Sequence, residues 1–157
     1  MDFNEKYMIV LDMYLTMLSV ILGGVLNMLF IKTDFYKKHR YPIDRNRKLK
    51  DGKRVFGDNK TWIGFGSMIV CCMISQVLIG FICNVFHINS HNQIYNFYEN
   101  KFIFNVLMGF LFGFTYMLFD LPNSFVKRRL DIACGKTNTN IIGKLFFVID
   151  QIDSLIG

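Results

Sequence analysis

The feature that most constrains this chain is the length of its apolar blocks. Three stretches, about 7–31, 62–86 and 102–119, carry very little charge. A helix rising about 1.5 Å per residue needs roughly 20 apolar residues to cross some 30 Å of hydrocarbon. A soluble domain hides its apolar residues in short periodic stripes instead. The composition agrees, with 52% hydrophobic and only 19% charged residues among 157, where a soluble domain carries about a quarter charged. The expected fold class is therefore all-α: a polytopic transmembrane helical bundle forming one membrane-embedded domain over 1–157.

The first block is too long for the apolar region of a signal peptide, and it lacks a basic leader and a small-residue cleavage site, so it reads as a permanent span. A fourth apolar stretch starts near Ile141 and is still apolar at Gly157, but it contains Lys144, Asp150 and Asp153. Three charges are costly at mid-bilayer. The expected span, about 145–157, therefore keeps its two aspartates near the cytoplasmic mouth and looks cut short at its C-terminal end.

Orientation follows from Lys and Arg in the connections. The loop 32–61 holds 11 of the 18 basic residues. The loop 120–140 adds Lys127, Arg128, Arg129 and Lys136, whereas 87–101 has only Lys101. The expected topology is a multi-pass cell-membrane protein with its N-terminus outside and both basic loops facing the cytoplasm. The net charge of +6 sits in those loops, which points to anionic lipid or an anionic substrate rather than nucleic acid. The four cysteines, Cys71, Cys72, Cys83 and Cys134, have no C-x-x-C spacing and read as reduced, small apolar residues. Within the spans, Asp12 reads as an interfacial residue reaching outward, and Gly23, Gly24 and Gly80 as points of close helix approach.

Two polar clusters stand out. The first is the loop text YPIDRNRKLKDGKRVFGDNKTWIG over 41–64. Asp44, Asp51 and Asp58 recur every seven residues; Gly52, Gly57 and Gly64 mark turning points; Lys53, Arg54 and Lys60 are interleaved. Basic side chains beside glycines suit a polyphosphate, whose charge cations and exposed backbone N–H groups offset together. It is not a Walker A sequence. A topogenic tether and a phosphate site both remain open on these residues alone.

The second cluster is DLPNSFVKRRL, from Asp120 to Leu130, followed by Asp150-Gln151-Ile152-Asp153. Ser124, Lys127 and Arg128 share a helix face by spacing, with Asn123 or Ser124 as a cap after Pro122. Asp150 and Asp153 stand three apart, so their carboxylates can converge. Paired carboxylates near a membrane suit Mg²⁺, which keeps several waters and binds substrate phosphates. A basic membrane-surface anchor is the competing reading.

Taken together, the clusters resemble those of the CDP-archaeol synthases. Pro42-Ile43-Asp44, Asp51-Gly52-Lys53-Arg54 and Gly57-Asp58-Asn59-Lys60-Thr61-Trp62 match that family's first loop. Asp120-Leu121-Pro122-Asn123-Ser124-Phe125-Val126-Lys127-Arg128-Arg129-Leu130 and the closing Asp150-Gln151-Ile152-Asp153 match its second half. The sequence departs from the pattern at Phe119, Asp131 and Ile63. The resemblance implies transfer of CMP from CTP to a phosphorylated membrane lipid, giving a CDP-lipid and pyrophosphate. It implies Mg²⁺ on Asp120, Asp150 and Asp153, with Ser124, Lys127 and Arg128 completing the catalytic set. Asp44, Asp51, Lys53, Arg54, Asp58, Lys60 and Thr61 would form the nucleotide side of the site. The alternative is a non-catalytic membrane subunit or anionic-lipid-binding scaffold. Neither the lipid tail nor the oligomeric state can be read from these residues.

Overall fold

The computed structural model describes residues 3–130; the expected fourth span, with Asp150 and Asp153, lies outside them. The described chain is helical. Helix α1 covers Phe3–Phe30, the short α2 Asp34–His39, α3 Trp62–Val85 and α4 Phe102–Arg129, with a 3-10 turn over Asn89–His91 between the last two. Extended pairing among the described residues is limited to two isolated bridges in the loop before α3. Among the described residues three helices are long and apolar enough to cross a membrane: Tyr7–Phe30, Trp62–Val85 and Phe102–Arg129.

Two elements differ from the expectation. The loop after α1 contains α2, whose start is capped by Thr33: its Oγ1 accepts from Tyr36 N at 3.3 Å, the usual service of a threonine at this position. Asp34 in its first turn and Lys37, Lys38 and His39 in its last complement the helix dipole. The helix of the third span does not stop at 119. Helix α4 continues through Asp120 to Arg129 with Pro122 inside it, so neither Asn123 nor Ser124 caps a new helix. Pro122 is exposed, which leaves room for the ring; it removes one backbone donor without ending the helix.

Surface and core reflect a lipid solvent. Large apolar side chains lie outward, Phe81 at 66% and Ile103 at 72% exposure, while Ser19, Ser75, Gln76 and Asn105 are buried. Hydrocarbon gives apolar side chains no reason to turn inward, so close backbone contact and hydrogen bonding do the packing.

Two compact units make up the described residues, one reaching to Leu29 and joined by Met68–Gly113, the other of Phe30–Ser67 with the described residues from Phe114 on. In the first, α3 and α4 meet backbone to backbone. A Cβ on Gly109 would lie 2.5 Å from Met73 Cα, and one on Gly113 2.5 Å from Ile69 Cα. Gly109 and Gly113 are four apart, the spacing that puts small residues on one helix stripe. Gly23 takes the same part toward Cys72, whereas Gly24 faces open space. The Asp12 carboxylate meets His91 Nδ1 of the 87–101 connection at 3.0 Å. One turn further, Thr16 Oγ1 accepts from Gln93 N at 2.9 Å. These bonds tie the 87–101 connection to α1.

Candidate functional site

The second unit carries both polar clusters, and its loop 41–62 is folded on itself. At its base Pro42 bridges Thr61, Trp62 N donates to Tyr41 O at 3.1 Å, and Ile43 N donates to Lys60 O at 2.8 Å. Nearer the tip Lys48 bridges Arg54 and Leu49 N donates to Lys53 O at 3.0 Å. Gly52 and Gly57 turn the chain at φ 74° and 94°, where a side chain would be strained.

Asp44 is the centre of this loop. Its side chain is buried, with 0% exposure, and its carboxylate takes five hydrogen bonds. Arg54 donates from Nη2 at 2.6 Å and from Nε at 3.1 Å. The backbone N–H groups of Asn46, Phe56 and Gly57 each donate at 3.1 Å. Two carboxylate oxygens offer about four lone-pair sites, so no acceptor capacity is left for a substrate. Asp44 orients Arg54 and closes the turn. Burial pushes its carboxyl up, but the Arg54 guanidinium and then the Gly57, Phe56 and Asn46 N–H groups outweigh that and hold it at about 2.

A carboxyl depressed from 3.8 to about 2 stabilises the fold fully above the higher value and stops doing so as pH falls through the lower. Between about pH 4 and pH 2 the loop is thus expected to lose roughly 2 kcal/mol of support. Hydrogen-exchange protection of the Phe56 and Gly57 amides, corrected for intrinsic rate, reads this directly. Protection that stays constant across that window would detach the carboxylate from loop order.

Thr61, also expected on the substrate side, is a buried cap. Its Oγ1 accepts from Gly64 N at 3.1 Å and pairs with Tyr36 OH at 2.9 Å, so it fixes the start of α3. Tyr36 is held by the edge of Phe30, ring centroids 6.1 Å apart.

The remaining polar residues fall into two groups. At the loop tip Arg54 Nη1 donates to Asp58 at 2.8 Å, and Asp44 foremost, against burial, raises the guanidinium pKa. Asp51 pairs with Arg129, and Arg129 also donates to Arg54 O. Lys53 Nζ donates to Arg129 O at 2.9 Å, satisfying a carbonyl at the end of α4. The second group is built on α4. Asp120 pairs with Lys60 of the loop, joining residues sixty positions apart. Ser124, buried at 7% exposure, and Lys127 follow Asp120 at four and seven residues, the spacing of one helix face; Arg128 flanks them. Arg129 and Tyr36 were not foreseen. The Lys-Arg-Arg run hinted at Arg129, and nothing marked Tyr36.

Asp120, Lys60 and Lys127 can together meet a polyphosphate with its counter-cation. Among the described residues no three His, Cys, Asp or Glu side chains gather around a metal position. One carboxylate fits Mg²⁺ held mainly by water and substrate phosphates, and Asp150 and Asp153 lie outside the described residues.

A CDP-archaeol synthase of Thermococcus gammatolerans is 35% identical over 94 residues, 60% of this chain and 48% of that protein. One from Methanoculleus marisnigri is 36% identical over 122 residues, 74% of this chain and 59% of that protein. The chain thus spans about half the length of the curated relatives it matches. A solved structure of an intramembrane enzyme for archaeal membrane lipid biosynthesis shares the fold, with a TM-score of 0.55 at 22% identity over 91% of this chain and 75% of that one. The CarS-like CDP-archaeol synthase model matches residues 7–156, nearly the whole sequence, and the chain belongs to that family.

Proposed function

We propose that this chain is a membrane cytidylyltransferase that transfers CMP from CTP to a phosphorylated, archaetidic-acid-like lipid, giving a CDP-lipid and pyrophosphate. The Lys60–Asp120 pair carries the reading, because it joins the two motifs that a nucleotide and a lipid phosphate would need to approach together. In the reaction a lipid phosphate oxygen attacks the α-phosphorus of CTP. The bond from that phosphorus to the bridging oxygen breaks, and pyrophosphate leaves. Little proton transfer is required, so the side chains act by positioning and charge neutralisation.

Lys53, Arg54 and Lys60, with Asp51 and Asp58 aligning them, serve the nucleotide side. Ser124, Lys127 and Arg128 serve the lipid phosphate. Mg²⁺ would be held by Asp120 with Asp150 and Asp153, and it supplies neutralisation of the polyphosphate charge. The site faces the cytoplasm in this reading, where CTP is available.

Conversion of radiolabelled CTP by the purified chain, with Mg²⁺ and a panel of phosphorylated lipids in detergent, tests the proposal. A CDP-lipid product with an ether-lipid phosphate is expected. No product with any lipid, from folded protein, would overturn it in favour of a non-catalytic lipid-binding subunit, whose lipid affinity should fall steeply with salt.

A further inference from the structure

The first unit contains a polar cluster that the proposed reaction does not use. A line of amides begins at the surface with Asn84, whose Oδ1 accepts from Asn89 Nδ2 at 2.9 Å. Asn100 Nδ2 donates to Asn89 Oδ1 and to Gly80 O, both at 2.8 Å. Asn105 Nδ2 donates to Asn100 Oδ1 at 2.6 Å. Asn105 Oδ1 in turn accepts from Tyr95 OH at 2.6 Å and from Gln76 Nε2 at 3.3 Å. Part of this line fastens the 87–101 connection to the ends of α3 and α4.

Fastening does not use all of it. Asn84 and Asn105 both line a pocket of about 150 Å³, together with Gly80, Asn100 and the rings of Phe81 and Phe102. Each primary amide carries two N–H donors. The bonds above consume both donors of Asn100 and one of Asn105, and none of Asn84. The pocket therefore keeps N–H groups from Asn84 and Asn105 together with the unused lone pairs of the Asn84 and Asn100 carbonyls. No charged side chain lines it. Phe81 and Phe102 stand at its rim, 66% and 69% exposed. Gly80 lets the amides of Asn105 and Asn100 lie against α3, since a Cβ there would collide with Asn105 Nδ2 and fall 2.8 Å from Asn100 Oδ1.

Uncharged donors and acceptors beside aromatic faces select a neutral, oxygen-rich ligand with apolar C–H surface. At about 30 Å³ per water, the volume matches roughly five waters, a glycerol-sized to small-sugar-sized group. We infer that this pocket is a binding site for an uncharged polyol, either the headgroup of a neutral membrane lipid or a free sugar. It is independent of the CTP reaction and makes no use of that site's residues.

Native mass spectrometry of the detergent-purified protein tests it. One sample is offered a glucosyl diether lipid, a second a phosphocholine diether of equal chain length, and a third free glucose. The glucosyl lipid or glucose is expected to be retained about tenfold over the phosphocholine lipid, and which of the two is retained names the source. Asn84→Leu is expected to lower that retention about tenfold, the cost of removing two donors at an exposed position. The thermal midpoint of Asn84→Leu, unchanged from the parent, verifies its fold. Equal retention of all three probes, or retention untouched by Asn84→Leu in folded protein, would overturn the assignment.

Discussion

Replacing Asp120 with Asn should lower CTP conversion by about 10²–10³-fold, the usual loss when a preorganised electrostatic group is removed from a charged transition state. The change is isosteric, and the side chain is partly open to solvent, at 25% exposure. The fold should therefore survive, with a circular-dichroism melt close to the parent's. Two effects combine. The carboxylate no longer draws Lys60 into place, and it no longer offers charge to a divalent ion. Lys60→Gln should lose activity as well, and the double variant should lose less than the two single losses multiplied, because the residues act as a unit. A full rate for Asp120→Asn would remove Asp120 from the reaction and, with it, the central support for the proposed site.

Replacing Gly109 with Leu should destabilise the first unit by about 3 kcal/mol, toward the upper end of overpacking costs. Overpacking is usually relieved when a neighbouring side chain changes rotamer. Here the neighbour is the backbone of α3, since a Cβ on Gly109 would meet Met73 Cα at 2.5 Å and Cys72 O at 2.8 Å. The helices would have to part, and with them the contacts that the Gly109–Gly113 stripe makes. Gly24→Leu is the matched comparison, with nothing within 4 Å of the added carbon; it should be neutral or slightly stabilising through helix propensity. Thermal denaturation in one detergent, followed by tryptophan-independent circular dichroism, reads both. Equal melting of the two variants would mean that the close approach of α3 and α4 does not hold in solution.

The glycine contrast also shows where sequence reading reaches its limit. Hydropathy located α3 within a residue, expected over 62–86 and found over Trp62–Val85, because an apolar block in lipid is nearly self-specifying. The same reasoning ended the third span at 119, where charge begins, and so missed that α4 runs on to Arg129. Charge marks where hydrocarbon stops, not where a helix stops. Gly24 and Gly109 look alike in the sequence, and only the neighbour decides which of them is a contact. The four-residue spacing of Gly109 and Gly113 is visible in the sequence, but spacing alone does not name the helix they meet.

At the site, residue types were legible and their division of labour was not. Asp44 and Arg54 both sit in the matched motif, yet Asp44 turns inward with every lone pair taken. Thr61 likewise serves the start of α3 rather than an open surface. A motif records which residues are needed, but burial and hydrogen-bond partners decide whether a residue touches the ligand or shapes the group that does. The pairing of Lys60 with Asp120 had no local signal, because it depends on how the loop returns to its own beginning.

That return has a consequence for how such proteins can diversify. Tyr41 and Trp62 are bonded backbone to backbone at 3.1 Å, so the segment between them is an excursion whose two ends already touch. The entropy of closing a loop grows only slowly with its length, and here the closure is made at the neck. Changes at the tip, around Lys48 and Arg54, leave the Thr61 bonds that anchor α2 and α3 in place. Variation at the tip is therefore separable from the closure that sets the start of α3.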